Sequence, residues 1–222
     1  MPRHDPRPAL GAIVLPDPDA TDRLGSALSA IAGPGDTILL AGEVGAGKSH
    51  LARAIILAGL ARAGRPPEAV PSPTYTLVQT YALGGGRQIL HADLYRLSSA
   101  EEALELGLAD ALGQDLCLVE WPDRLGDLWP AEALHVALST EGDGRRATLS
   151  GGAGWERRLD AAARDYVADP RGLRATADGL VVSKIYAWFI EDFGGDEAGV
   201  RAHLARYAPP ELRARIEAAE GV

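Results

Sequence analysis

The feature that constrains this chain most is a glycine-rich loop at residues 42–49, Gly-Glu-Val-Gly-Ala-Gly-Lys-Ser, which has the spacing of a phosphate-binding P-loop. The preceding run 37–41 is apolar after its threonine, as in a parallel strand that is buried on both faces. Residues 49–63 follow with apolar side chains at helical spacing. A strand, a glycine loop and a helix in this order predict an α/β fold whose loop binds phosphates through backbone N–H groups and the positive end of the helix.

The loop contains most of the predicted contacts with a nucleotide. Lys48 is expected to bridge the β- and γ-phosphates of ATP, and the Ser49 hydroxyl is expected to ligate Mg²⁺. Only two of the 22 lysines and arginines are lysines, Lys48 and Lys184. A compact ammonium group fits between phosphates where a planar guanidinium would fit poorly. The alternative interpretation is a structural glycine turn that is capped by Ser49. The residues predicted to contact the nucleotide are Gly42, Glu43, Val44, Gly45, Ala46, Gly47, Lys48, Ser49, His50 and Trp121.

Two acidic residues are candidates for holding the metal ion. Glu120 ends the apolar run 116–119, and Asp93 ends a run that begins near Gln88. Mg²⁺ takes oxygen ligands, and P-loop proteins normally place a carboxylate at the end of a neighbouring strand. Either carboxylate could hold the metal ion through water, and either could orient or deprotonate the attacking water. Each could instead cap the helix that follows it.

Three further side chains are candidates near this site. Thr74 lies in a loop stiffened by prolines, where its hydroxyl could sense the γ-phosphate and the metal ion, and the alternative is an ordinary turn threonine. Trp121 follows Glu120 directly and is expected beside the site. His91 is interpreted as a core histidine that could face the same side as Asp93. The predicted catalytic residues are Lys48, Thr74, Asp93 and Glu120, and the predicted metal ligands are Ser49, Asp93 and Glu120.

The remaining pattern predicts a P-loop domain over residues 1–155 and a helical C-terminal extension over residues 156–222. A glycine cluster at 151–154 favours a boundary there. The sheet is expected to be mostly parallel, with an antiparallel hairpin around residues 75–93 that turns at three glycines. Helices are predicted over 18–33, 49–63 and 99–112, and later strands near 134–139 and 145–150.

Composition limits the other classes of function. With 46% hydrophobic and 24% charged residues, the chain is typical of a soluble globular protein. No apolar stretch approaches the ~20 residues of a membrane span, and the opening residues lack the apolar segment of a secretory signal, so a cytoplasmic location is expected. The net charge of −9 argues against a broad surface that binds nucleic-acid phosphates directly. The single cysteine, Cys117, excludes an intramolecular disulfide and is predicted to be a small core residue.

Five segments, in order, are similar to successive motifs of the TsaE (YjeE) family. Glu43, Ser49 and Tyr75 stand where that family more often has Asp, Thr and Phe, and none of these differences removes a needed functional group. The segments are Gly-Glu-Val-Gly-Ala-Gly-Lys-Ser at 42–49, Ser-Pro-Thr-Tyr-Thr-Leu-Val at 72–78, His-Ala-Asp-Leu-Tyr-Arg-Leu at 91–97, Glu-Leu-Gly-Leu at 105–108 and Val-Glu-Trp-Pro at 119–122.

The resemblance implies a small P-loop ATPase that acts with the TsaD–TsaB complex to install threonylcarbamoyl on adenosine 37 of tRNAs that read codons beginning with A. Binding of tRNA is then expected only through the partner. The resemblance also implies that the lysine and hydroxyl of the loop, Asp93, Glu120 and Trp121 belong to the nucleotide site. The segment around Thr74 resembles the family's switch-like segment.

The C-terminal extension resembles, more weakly, the C-terminal part of an uncharacterised domain family. The similar stretch runs from Gly179 to Gly195, and the rest of that family's domain has no match here, so no activity carries over. Trp188, Phe189 and Phe193 are predicted to contribute to the core of the extension.

Two other functions remain open from the sequence. A small-molecule P-loop kinase would need an arginine-rich lid, and residues 122–135 contain only Arg124. A nucleotide-dependent interaction module with little turnover is the stronger alternative to an ATPase.

Overall fold

The computed structural model describes residues 8–176, 179–188 and 190–218. The chain divides into two compact units, residues 1–155 and residues 156–222. The strands of the first unit form one seven-stranded sheet. They are β1 (Ala9–Leu15), β2 (Thr37–Ala41), β3 (Val78–Gly84), β4 (Arg87–Asp93), β5 (Leu116–Glu120), β6 (Leu134–Glu141) and β7 (Gly144–Ser150). Its helices are α1 (Pro18–Ile31), α2 (Lys48–Arg62), α3 (Ala100–Glu105), α4 (Leu108–Ala111) and a 3-10 helix over Pro122–Leu128.

The sheet is parallel at its centre and antiparallel at both edges. The strand order is β1-β7-β6-β2-β5-β4-β3. Strands β6, β2, β5 and β4 run parallel, whereas β1 and β7 at one edge and β3 at the other are antiparallel to their neighbours. The predicted α/β architecture, with a mostly parallel central sheet and an antiparallel hairpin, is therefore confirmed.

The register of the central strands brings the predicted acidic residues together. Leu40 of β2 pairs with Glu120 of β5, and Glu120 pairs in turn with Asp93 of β4. The carboxyl ends of these three parallel strands therefore lie side by side at one end of the strands. Ligands bind beyond the carboxyl ends of the strands in open α/β sheets. The glycine loop follows the carboxyl end of β2 and so lies on the same side.

Local sequence explains the two helices that precede and follow β2. The first helix, α1, begins where the Asp17 side chain accepts a hydrogen bond from the Ala20 N–H at 2.7 Å, with Pro18 in the first helical position. The second helix, α2, begins at Lys48, directly after the loop. Strand β2 itself is buried along almost its whole length, as its continuous apolar sequence predicts.

Three elements differ from the sequence-based expectation. The helix predicted over 99–112 is divided into α3 and α4, because Gly107 adopts a left-handed conformation with φ of 74°. The hairpin begins at Val78 instead of residue 75, after Leu77 with φ of 64°. Strand β1 was not predicted, because its short side chains give no clear alternation and it is specified by pairing with β7.

The second unit is not wholly helical, which corrects the predicted extension. A hairpin of β8 (Leu173–Thr176) and β9 (Gly179–Val182) pairs antiparallel, and the Leu-Val-Val run of β9 has the side chains that favour strands. Phe193 packs against the core of this unit, whereas Phe189 and the side chain of Trp188 lie outside the described part of the chain. The boundary between the two units falls within α5 (Ala153–Ala168). The other helices are α6 (Lys184–Trp188), α7 (Glu197–Tyr207), α8 (Pro210–Ala218) and a 3-10 helix over Ile190–Phe193. None of the described helices is both long enough and apolar enough to cross a membrane.

Candidate nucleotide-binding site

The glycine loop connects the end of β2 to the start of α2, and glycine is required at two of its positions. Gly42 has φ of 136°, and a Cβ atom there would lie 2.3 Å from the Leu138 carbonyl oxygen. Gly47 has φ of 103° and forms the N-cap of α2. Only glycine adopts such angles readily. The loop can therefore turn directly into the helix, which leaves the unpaired N–H groups of the first turn available to an anion.

Lys48 is held by the loop that precedes it. Its Nζ donates hydrogen bonds to the carbonyl oxygens of Gly42 at 2.9 Å and of Glu43 at 2.7 Å. The same ammonium group lies 3.9 Å from the centroid of the Trp121 ring, within range of a cation–π interaction. Burial lowers the pKa of Lys48, and the nearby carboxylates of Glu120 and Asp93 oppose this shift. The amine is thus held by two carbonyl oxygens and by the face of one aromatic ring.

Trp121 has an unusual backbone conformation that belongs to this arrangement. Its φ is 58° and its ψ is 54°, which is the left-handed region that non-glycine residues rarely occupy. Such a conformation costs on the order of 1–3 kcal/mol and is found most often at functional sites. The indole lies beside Lys48 and also contacts Tyr95, with 4.9 Å between the two ring centroids.

Glu120 links the first turn of α2 to strand β4. The Ser49 hydroxyl donates a hydrogen bond to Glu120 Oε2 at 2.8 Å. The other carboxylate oxygen, Oε1, lies 2.9 Å from Nε2 of His91. Glu120 and His91 are both almost completely buried. Each oxygen of this carboxylate is therefore held by a different element of the fold.

Asp93 is held by a different set of groups. Thr74 Oγ1 donates a hydrogen bond to Asp93 Oδ2 at 2.7 Å, and the Tyr95 N–H donates to Oδ1 at 3.1 Å. The hydroxyls of Ser72 and Thr74 are 2.8 Å apart, and Ser72 also lies 3.5 Å from the Ser49 hydroxyl. The proline-rich loop that contains Thr74 is thereby connected to both carboxylate-bearing strands.

These groups line one pocket of about 220 Å³. Ser49, Asp93 and Glu120 present only oxygen donors, which is the donor set that Mg²⁺ prefers. Within the described part of the chain, no group of three or more His, Cys, Asp and Glu side chains could hold a metal ion. A metal ion here would therefore need the serine and the phosphates of a nucleotide as further ligands. The pocket is lined by Val44, Gly45, Lys48, Ser49, Thr74, Asp93, Tyr95, Glu120 and Trp121.

Not every residue that the sequence places in the site lines this pocket. Ala46 is buried in the core, and Gly42 and Glu43 contribute the carbonyl oxygens that bind Lys48. His50 points elsewhere: its Nε2 lies 2.8 Å from Asp22 Oδ1, and the residue lines a separate cavity of about 150 Å³ together with Gly47. Contact of His50 with a nucleotide therefore stays a prediction.

The structure also brings in residues that sequence reasoning did not select. Ser72 lies in the segment 72–78 and Tyr95 in the segment 91–97, both of which are similar to TsaE motifs. This similarity is the one sequence feature that could have indicated them. Arg145 is on β7, about one hundred residues beyond the loop, and its Nη2 donates to the Gly45 carbonyl oxygen at 3.2 Å. Nothing in the sequence pattern indicates that contact, because it depends on the position of β7 in the sheet.

Known proteins are similar to this chain over the part that contains the pocket. A sequence model of the family described as Threonylcarbamoyl adenosine biosynthesis protein TsaE matches residues 15–148. The chain is 35% identical over 133 residues to the tRNA threonylcarbamoyladenosine biosynthesis protein TsaE of Rickettsia bellii, which covers 60% of this chain and 89% of that relative. It is 33% identical over 131 residues to the protein of the same name from Bacillus subtilis, which covers 59% of this chain and 78% of the relative.

A solved structure shares the fold. The crystal structure of Bacillus subtilis YdiB superposes with a TM-score of 0.56 and 24% sequence identity, covering 73% of this chain and 99% of that one. The family match extends over residues 15–148 and so includes every residue that lines the pocket. The chain therefore belongs to the TsaE family of threonylcarbamoyl adenosine biosynthesis proteins.

Proposed function

We propose that this protein is a Mg²⁺-dependent ATP hydrolase that works with the TsaD–TsaB complex in N6-threonylcarbamoylation of adenosine 37 in tRNA. The observation that carries the proposal is one pocket in which a lysine amine, a helix N-terminus and two carboxylates face each other. A triphosphate and a divalent cation match these groups in charge and in donor type. Membership of the TsaE family supplies the biosynthetic context.

The chain's own residues would stabilise charge and position the reacting groups. Backbone N–H groups of the loop and the amine of Lys48 bind the β- and γ-phosphates, where negative charge increases during phosphoryl transfer. Ser49, with Glu120 and Asp93 close by, would hold Mg²⁺, which neutralises phosphate charge when it is bound. Positioning and electrostatics of this kind account for most catalysis of phosphoryl transfer.

Asp93 and Thr74 are the groups best placed to orient the attacking water. Thr74 donates its hydrogen bond to Asp93, so the position of the loop depends on the same carboxylate that faces the pocket. Movement of this loop on hydrolysis would resemble the order-to-disorder changes of nucleotide switches. Release of the product would then reset the partner complex.

The surface charge favours an indirect role for tRNA. The chain carries a net charge of −9, which repels nucleic acid unless basic groups are clustered. We therefore place tRNA on the partner complex. We also propose a cytoplasmic location, which suits relatives named for tRNA modification. Tight, salt-sensitive binding of tRNA to this chain alone in a mobility-shift assay would contradict this part of the proposal.

The decisive experiment measures phosphate release from ATP by the purified chain, alone and with TsaD–TsaB. We expect a slow Mg²⁺-dependent rate that rises when the partner complex is added, because isolated P-loop switches often lack part of their water-positioning groups. Chelation of Mg²⁺ with EDTA should abolish release in both conditions. No release above background in either condition would overturn the hydrolase assignment.

A second candidate function is a nucleotide-dependent interaction module with little turnover. Tyr75, next to Thr74, and Val44, in the loop, are 86% and 75% exposed, so two large apolar side chains face solvent at the site. Exposed apolar groups of this kind can mark a surface for another protein. Binding of ATP with Mg²⁺ and association with TsaD–TsaB, but no phosphate release, would support this candidate over the hydrolase.

A further inference from the structure

His91 is a buried polar residue that the proposed reaction does not use directly. It lies on β4 two residues before Asp93, and its side chain is inaccessible to solvent. Its Nε2 lies 2.9 Å from Glu120 Oε1, and its Nδ1 has no hydrogen-bond partner among the described residues. A buried nitrogen without a partner is unfavourable, and an apolar side chain of similar size would avoid this cost. Simple packing therefore does not account for a histidine at this position.

The direction of this hydrogen bond follows from the chemistry of the two groups. An ionised carboxylate accepts hydrogen bonds and donates none, so Nε2 of His91 carries the proton and donates it to Glu120. The second oxygen of Glu120 accepts from Ser49 at 2.8 Å. The carboxylate is thus fixed at both oxygens, by β4 on one side and by the first turn of α2 on the other.

This arrangement determines how the serine hydroxyl is oriented. Because its proton points to Glu120, the lone pairs of Ser49 Oγ remain for a cation in the pocket. Rotation of the carboxylate away from this position would let the serine hydroxyl rotate as well. Removal of a partner that orients a metal-binding residue in this way lowers metal affinity or activity by about 10–100-fold.

We propose that His91 is a positioning residue, which holds Glu120 so that the carboxylate orients the Ser49 hydroxyl for Mg²⁺·ATP. The inference rests on the proposed function and deepens it, because it assigns Glu120 an indirect role toward the metal ion, through Ser49. Asp93 is supported by other groups, since its oxygens accept from the hydroxyls of Thr74 and, at 3.4 Å, of Ser72, and from the backbone N–H of Tyr95. Glu120 and Asp93 therefore have different direct partners, and only Glu120 is bound by His91.

The test compares His91→Leu, which removes the donor, with His91→Gln, whose amide nitrogen can occupy the position of Nε2. We measure kcat and KM for ATP with TsaD–TsaB present, the concentration of Mg²⁺ that gives half of the maximal rate, and thermal unfolding. His91→Leu is expected to lower kcat about 10–100-fold and to raise the Mg²⁺ requirement, with little change in KM. His91→Gln is expected to regain most of the lost rate.

A double-mutant cycle distinguishes positioning from a general structural effect. If His91 acts through Glu120, adding His91→Leu to Glu120→Ala should change kcat by less than about twofold. An equal loss from His91→Leu with and without Glu120 would overturn the proposal. A folded His91→Leu protein with wild-type kcat and Mg²⁺ requirement would also overturn it, as would a His91→Gln protein as slow as His91→Leu.

Two further comparisons keep the outcome decisive. If His91→Leu does not fold, His91→Gln is compared with His91→Asn, whose shorter side chain cannot reach Glu120; equal rates refute the proposal, and a slower Asn variant supports it. If the wild-type protein releases no phosphate, the proposed hydrolase function fails by itself. The role of His91 is then decided by how much Mg²⁺ increases the affinity for a fluorescent ATP analogue, an increase that His91→Leu should reduce and His91→Gln should restore.

Discussion

Lys48 places a largely buried ammonium group beside the glycine loop. The residue is only 5% exposed, and burial lowers its pKa from the ordinary lysine value. The carbonyl oxygens of Gly42 and Glu43 compensate in part for the lost solvent. A cation that is desolvated in this way interacts strongly with an anion that enters the pocket, because little water must be displaced from it.

We predict that Lys48→Ala loses most of the affinity for ATP. Loss of a charge-assisted contact costs about 1.5–3 kcal/mol in binding. Titration with a fluorescent ATP analogue measures the effect. Lys184→Ala is the matched control, since Lys184 is the only other lysine and is exposed on α6, and it should bind as the wild type does. Unchanged affinity in Lys48→Ala would refute the assignment of the loop.

Glu120→Gln is expected to retain ATP binding while slowing hydrolysis strongly. An amide fills the same volume, but it removes the negative charge and can accept from only one of the two donors, Ser49 and His91. We expect kcat to fall by ~100-fold or more, with a small change in KM. Steady-state phosphate release provides the measurement, and the exposed Asp123→Asn serves as the control. If Glu120→Gln lost ATP binding and ATP hydrolysis together, the role of Glu120 would be structural.

Cys117 should be unreactive in the folded protein. The thiol is buried in β5, and burial raises its pKa from 9.0 to about 12. Between these two values the unfolded chain has lost the proton and the folded chain keeps it, so stability falls as pH rises, by ~1.4 kcal/mol per pH unit. A thiol-reactive dye should label the native protein very slowly at pH 8 and the denatured protein completely. Fast labelling under native conditions would contradict this burial.

At the scale of elements, the position of the glycine loop depends on how closely α1 and α2 pack. Gly25 of α1 faces α2, and a Cβ atom there would lie 2.4 Å from the Cβ of Ala54. The two helices are neighbours in the first unit, and α2 begins with Lys48 and Ser49, which line the pocket. A wider spacing of the two helices would therefore shift the helix whose first residues line the pocket.

Gly25→Ala is accordingly predicted to destabilise the protein by about 1–3 kcal/mol, because the extra methyl group forces the helices apart. Helix propensity alone would favour alanine by ~1 kcal/mol, so the sign of the effect tests the packing. Gly154→Ala is the control, since Gly154 lies in α5 with open space around its Cβ position. Urea denaturation gives both values. A stabilised Gly25→Ala protein would show that the helices are farther apart.

At the scale of the whole molecule, the candidate nucleotide site lies within the first unit. All residues that line the pocket lie between Val44 and Trp121, and the family match ends at residue 148. Trp155 completes the core of this unit: it is fully buried, and its indole N–H donates to the Glu132 carbonyl oxygen at 2.9 Å. The last residue of the first unit, Trp155, is therefore part of its core.

We predict that a chain ending at Asp160 folds and hydrolyses ATP, because it retains Trp155 and every group in the pocket. A chain ending at Gly152 lacks this tryptophan and should lose about 3–5 kcal/mol of stability, the usual cost of removing a large buried aromatic side chain. Thermal unfolding and phosphate release of the two chains are compared with the full-length protein. A folded but inactive chain ending at Asp160 would show that residues 161–222 contribute to the site.

The sequence by itself determined the central elements of the first unit and the identity of the residues at their ends. A local pattern is sufficient for this: strand β2, the glycine loop and helix α2 follow one another directly, and their periodicity and glycine spacing need no distant contact. The position of Glu120 at the end of a buried parallel strand could also be predicted, because an apolar run that ends in an acidic residue is recognisable in the sequence. The break at Gly107 was missed because one glycine within a helical pattern is often tolerated.

Tertiary structure alone decided which side chains meet. The bond between His91 and Glu120 depends on the register of β4 against β5, and the contact of Arg145 with the glycine loop depends on where β7 lies in the sheet. His50 shows the reverse case, since it follows the loop directly but turns toward Asp22 on α1. Such contacts join residues that are 28 to 100 positions apart. Sequence periodicity reports only which face of an element is buried, and it contains no information about the neighbour that covers this face.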